Sequence, residues 1–61
     1  MKPILKLVGH DGNSFSILAR AKRAAIKAGW TGEEIDEFMH EAKSGDRDHL
    51  LQTCMKYFEV E

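Results

Sequence analysis

Gly29-Trp30-Thr31-Gly32-Glu33-Glu34-Ile35 stops one helix and starts the next within seven residues. Thr31 followed three positions later by Glu34 is a capping box: the threonine hydroxyl accepts from the N3 amide, and the glutamate reaches back to the threonine N–H. Trp30 precedes the cap, where it can staple onto Ile35 at N4. Gly29 supplies the left-handed residue that ends the preceding helix. From this point the second helix runs forward over 32–43, burying Ile35, Phe38, Met39 and Ala42, until Ser44-Gly45 breaks it.

Reading backward from Gly29, Phe15, Leu18, Ala21, Ala25 and Ala28 fall on one helical stripe with Ile17 and Ala24 beside it, predicting a helix over 14–28. Its inner face is mostly alanine, and such a face lets another backbone approach closely. Arg20, Arg23 and Lys27 lie on the opposite side. Asn13 or Ser14 can cap its start. Before it stands Gly9-His10-Asp11-Gly12-Asn13-Ser14, a dense run of turn formers, and before that Pro3-Ile4-Leu5-Lys6-Leu7-Val8, a short apolar strand over 3–8 with Lys6 toward water.

Past Gly45, Asp46 or Asp48 opens a third helix over 47–58, with Leu50, Leu51, Cys54, Met55 and Phe58 as its apolar stripe. Residues 57–61 can be extended. A six-residue strand cannot satisfy its own backbone, so 3–8 needs a partner, supplied by 57–61 of the same chain or by a second copy. The expected fold is one small α+β domain over residues 1–61, mostly α: a first strand, three helices and a short C-terminal strand.

At 61 residues such a domain buries only about 60% of its unfolded surface, and its core alone supplies roughly 3–5 kcal/mol. Cys54 is the single cysteine, so no internal disulfide can help. Its apolar neighbours mark it as a buried small hydrophobe in a reducing compartment. His10, Asp11, Asp36, His40, Asp46, Asp48 and His49 have no metal-ligand spacing, and no metal or cofactor is expected. Self-association is left as the expected source of further stability. The apolar run at 4–8 is too short for a signal peptide or membrane span, so a cytoplasmic setting with no membrane partner is expected.

Charge is unevenly placed. Residues 1–30 carry six bases against Asp11 alone, whereas residues 31–61 carry nine acids against Lys43, Arg47 and Lys56. The net charge of −1 argues against the domain-wide positive field that duplex nucleic acid would require, and favours attraction between the two halves.

Two polar turns are candidates for chemistry. The turn at 9–14 leads into a helix start, where backbone N–H groups favour anions, although neither GxxxxGK[ST] nor GxGxxG is present. Ser44-Gly45-Asp46-Arg47-Asp48-His49 opens another helix. Each turn also has a purely local explanation in capping and in the helix dipole. The spacing offers no Ser-His-Asp or Cys-His set and no paired acid and base, so no enzyme is expected.

Lys6-Leu7-Val8-Gly9, Asp11-Gly12-Asn13, Phe15, Ser44-Gly45-Asp46 and Asp48-His49-Leu50-Leu51 together resemble short uncharacterised proteins of bacteriophages and bacterial mobile elements, a group without an established activity. The resemblance covers almost the whole chain. It implies an accessory protein that counters host defence, by sequestering a nucleotide signal between subunits or by blocking a host protein.

The leading expectation is therefore a homo-oligomer that binds a small anionic, nucleotide-like ligand through His10, Asp11, Asn13, Ser14, Arg20, Arg23, Asp46, Asp48 and His49. A protein-interaction module that occludes a host protein is the alternative, and a small helical DNA binder stands behind it.

Overall fold

The computed structural model describes residues 2–7 and 13–61. It shows an α+β chain, mostly α, in the order β1 (Ile4–Leu5), α1 (Ser14–Lys27), α2 (Gly32–Lys43), α3 (Arg47–Tyr57) and β2 (Glu59–Val60).

Each helix starts where a side chain can satisfy its first amides. Asn13 Oδ1 accepts from the Phe15 N–H at 2.8 Å, and Asp46 Oδ1 accepts from the His49 N–H at 3.0 Å. Thr31 and Glu34 form the full capping box, with Glu34 N–H to Thr31 Oγ1 at 3.1 Å and Thr31 N–H to Glu34 Oε1 at 2.8 Å. Helix α1 ends as the sequence predicts. Gly29 takes φ +85°, its N–H donates to the Ile26 carbonyl, and the Trp30 N–H donates back to the Ala25 carbonyl, which is the paired closure of a Schellman motif. Thr31→Ala removes one cap and is expected to cost about 1 kcal/mol, read as a lower urea midpoint at unchanged slope.

The strand question is settled inside the chain. β1 and β2 pair in parallel, Ile4 opposite Glu59 and Leu5 opposite Val60. The ladder continues past the strands, with Glu59 N–H to Pro3 O at 2.8 Å, Glu61 N–H to Leu5 O at 2.8 Å and Leu7 N–H to Glu61 O at 2.6 Å. A parallel pair needs a long crossover, and here the three helices provide it. A second copy is not needed to pair β1.

The core gathers Leu5, Ile17, Ala21, Ala25, Phe38, Ala42, Leu50, Cys54 and Phe58 between the helices and the inner side of β1. Ala21 and Ala25 are fully buried, so the alanine face is used for close packing within the subunit. Trp30 packs on an aromatic cluster: it stacks on Phe58 at 5.0 Å and 17° and meets Phe38 edge-on at 6.1 Å. Phe38 meets Phe58 edge-on at 5.3 Å. Such pairs add about 0.5–1.5 kcal/mol each beyond area burial.

Three core expectations are corrected. Phe15 is 83% exposed because α1 turns the line Ile17–Ala21–Ala25 inward, and Phe15 stands about 120° round from Ala21 at ~100° per residue. Ala28 is exposed with it. Met55 is 61% exposed because α3 turns Leu50, Thr53 and Cys54 inward. Thr53 takes a core position by donating its hydroxyl to the His49 carbonyl at 2.8 Å, which satisfies the one buried polar side chain among the described residues.

Burial removes the Cys54 thiol from solvent and raises its pKa, since desolvation disfavours the thiolate. Iodoacetamide is expected to label Cys54 much more slowly in the native protein than in urea, as followed by mass spectrometry. The raised pKa also fixes a sign. The contribution to stability is full below the ordinary thiol range and is lost as pH rises through that range toward the folded value, because the unfolded chain releases its proton first.

Candidate functional site

The start of α1 and the turn between α2 and α3 border one hollow. Ser14 and Leu18 line it from α1, Lys43 from the end of α2, Gly45 and Asp46 from the turn, and Arg47 from the start of α3. Two of the sequence candidates, Ser14 and Asp46, meet there. Asn13 sits beside Ser14 as the cap of α1, and Asp48 lies in the first turn of α3. Residues of both helix starts line this hollow, and a helix start carries free N–H groups and the positive end of the dipole. No carboxylate of the described residues lies at ion-pair distance from Lys43 or Arg47. Neither cation was among the expected ligands. Arg47 stood inside the turn read as polar capping, and Lys43 is the basic last-turn residue of α2.

Among the described residues, Arg20 and Arg23 do not line the hollow. Arg20 is half-buried and Arg23 exposed elsewhere on α1. His10 and Asp11 lie outside the described residues.

His49 points to α2. Its Nε2 lies 2.8 Å from Glu41 Oε2, 2.9 Å from the Glu41 carbonyl and 3.1 Å from Ser44 Oγ. A carbonyl and a carboxylate only accept, so Nε2 carries the proton in this arrangement. The serine and the acid both meet the same ring nitrogen. A nucleophile relay needs them on opposite nitrogens, so this trio ties the α2–α3 turn together and is not a relay. The Ser44 hydroxyl instead donates to the Glu41 carbonyl at 2.7 Å.

Gly45 makes this tie possible. A Cβ there would stand 2.8 Å from His49 Cβ and Cγ; the Cβ is fixed by the α3 backbone, and the ring can give way only by leaving its place. Gly45→Ala is expected to displace the imidazole from Glu41 and to destabilise by about 1–3 kcal/mol, as overpacking does. Thermal unfolding and the His49 ring resonances check it.

Among the described residues no group of three His, Cys, Asp or Glu side chains is placed to hold a metal. No helix in these residues is long and apolar enough to cross a membrane. No protein-family model, curated protein or solved structure matches the chain, so the reading of the site rests on its own chemistry.

Proposed function

We propose that this chain is a non-enzymatic binding protein that takes a small anionic ligand of the nucleotide class between the starts of α1 and α3, and that copies associate to complete the site. The observation that carries the reading is the pairing of Lys43 and Arg47 with Ser14 and two helix N-termini around one hollow. Backbone amides, a hydroxyl, an ammonium and a guanidinium are the donor set that phosphate oxygens take. Asp46 occupies the α3 cap and sets a limit, favouring a ligand that also presents ribose or base donors to it.

Self-association is supported by the outer face of α1. Phe15, Ala19, Lys22 and Ile26 follow at steps of four, three and four along α1, the spacing of a helix-packing seam. Phe15 is 83% and Ile26 58% exposed. Lys22, Arg23 and Lys27 on or beside this seam have no carboxylate partner among the described residues, and the exposed side of α2 carries Glu33, Asp36 and Glu37. A second copy offers the complementary charge. The first strand and the alanine face of α1 are both satisfied within the subunit, so this seam is what supports association.

By its resemblance to phage and mobile-element proteins, the ligand would be a nucleotide signal of host defence, held rather than converted. Native mass spectrometry and light scattering of freshly purified protein test both parts. The expected result is more than one subunit and a retained mass near that of a dinucleotide. A bare monomer that gives no heat with any member of a nucleotide panel contradicts the proposal. The same seam also supports the alternative reading, occlusion of a host protein, which predicts recovery of one protein partner from bacterial lysate and no retained small molecule.

A further inference from the structure

A second hollow, sharing no residue with the first, is lined by Trp30, Tyr57, Glu34 and Glu37. Its chemistry is the reverse of the anion site. The Trp30 and Tyr57 rings stand 6.0 Å apart and are tilted by 59°, while the two carboxylates stand one helical turn apart on α2. One Glu34 oxygen is committed to the Thr31 amide, which leaves the other oxygen for a ligand. Glu37 has no cation of the described residues at ion-pair distance.

Trp30 does not move freely. Its stack on Phe58 and its edge contact with Phe38 fix the indole, and Phe38 also holds Tyr57 edge-on at 5.4 Å. The two rings are therefore presented as rigid walls. Their electron-rich faces attract cations, and two adjacent carboxylates add attraction while repelling anions. Lys56 already brings its ammonium to 5.8 Å from the Tyr57 ring centroid, so this ring accepts a cation from its own chain. The hollow holds about 130 Å³, roughly the share of four waters, which suits one compact cationic head and not a nucleotide.

We propose that this hollow binds an alkylammonium or guanidinium group, cradled by Trp30 and Tyr57 and neutralised by Glu34 and Glu37. Such a group can belong to a free small cation or to a lysine or arginine side chain of another protein. Because Trp30 is the single tryptophan, its emission reports the site directly.

The test titrates the whole protein with tetramethylammonium chloride in one arm and N-acetyl-arginine amide in the other, each against sodium chloride at equal ionic strength. A saturable change in Trp30 emission in either arm is expected, and the arm with the lower half-saturation names the source. Glu37→Gln should raise that half-saturation about threefold or more, the scale of one exposed ion pair, with Tyr57→Phe keeping the ring and the binding. Glu59→Gln removes an equal charge on β2 and should leave the curve in place. Emission that follows sodium chloride in both arms overturns the proposal, and so does a Glu37→Gln curve that superimposes on the unaltered protein. Nucleotide binding plays no part in this readout, so the two sites stand or fall separately.

Discussion

Phe38→Ala is expected to unfold the domain. Phe38 is fully buried and is shared by Trp30, Tyr57 and Phe58 through three edge contacts. Truncating a buried phenylalanine costs about 3–5 kcal/mol in transfer and cavity terms, and a core of this size supplies roughly the same amount in total. The loss equals the stability. Far-ultraviolet circular dichroism should show the helices largely melted at 25 °C, with Trp30 emission shifted to the red. A cooperative transition with a near-native midpoint would show that the aromatic cluster is not what holds α2, α3 and β2 together. Phe38→Leu, which keeps most of the volume, should remain folded with a lower midpoint.

Charge reversal at the anion site has the second large effect. Lys43→Glu combined with Arg47→Glu is expected to weaken nucleotide binding at least 100-fold, because each charge-assisted hydrogen bond contributes about 1.5–3 kcal/mol and tenfold in affinity is about 1.4 kcal/mol. Both side chains are exposed, so the unfolding midpoint should move little, with some gain from a third acid near the α3 start, beside Asp46 and Asp48, offset by an acid in the last turn of α2. Calorimetry gives the affinity and urea unfolding gives the control. Affinity unchanged within threefold would remove the hollow from the account while leaving the fold intact.

What the sequence made legible follows the range of the interaction. Helix starts and stops are local: Asn13, Thr31 with Glu34, Asp46 and Gly29 each act within a few residues, and each is found capping or ending the helix it was expected to. Which side of a helix faces in is not local. On α1 the expected stripe through Phe15, Leu18, Ala21, Ala25 and Ala28 and the buried line through Ile17, Ala21 and Ala25 share two alanines and diverge at the ends, and only packing against β1, α2 and α3 chooses between them. The chosen line spends alanines on close approach and leaves Phe15 outside. The same holds for Met55 on α3.

The site divides in the same way. Ser14 and Asp46 could be named because turn formers before a helix are visible in one dimension. That they share a hollow depends on α1 and α3 packing together across some thirty residues, and this is what brings Lys43 and Arg47 into view. His49 is expected from the sequence to meet the ligand. It meets Asp46 through its backbone N–H, but its ring goes to Glu41, eight residues earlier, a pairing that exists only once α2 and α3 lie side by side. The aromatic residues of the Trp30–Tyr57 hollow are visible in the sequence, but that Trp30 and Tyr57 stand together beside Glu34 and Glu37 depends on α2 and α3 packing side by side.

Amide chemical shifts provide the most direct measurement of the central claim, that the joined starts of α1 and α3 hold a phosphate-bearing ligand. Titrating isotope-labelled protein with the tightest nucleotide from the calorimetric panel should move Ser14, Phe15, Gly45, Asp46 and Arg47 together along one saturable curve. Shifts confined to Arg23, Ile26 and Lys27, or no saturable shift at any amide, would contradict it.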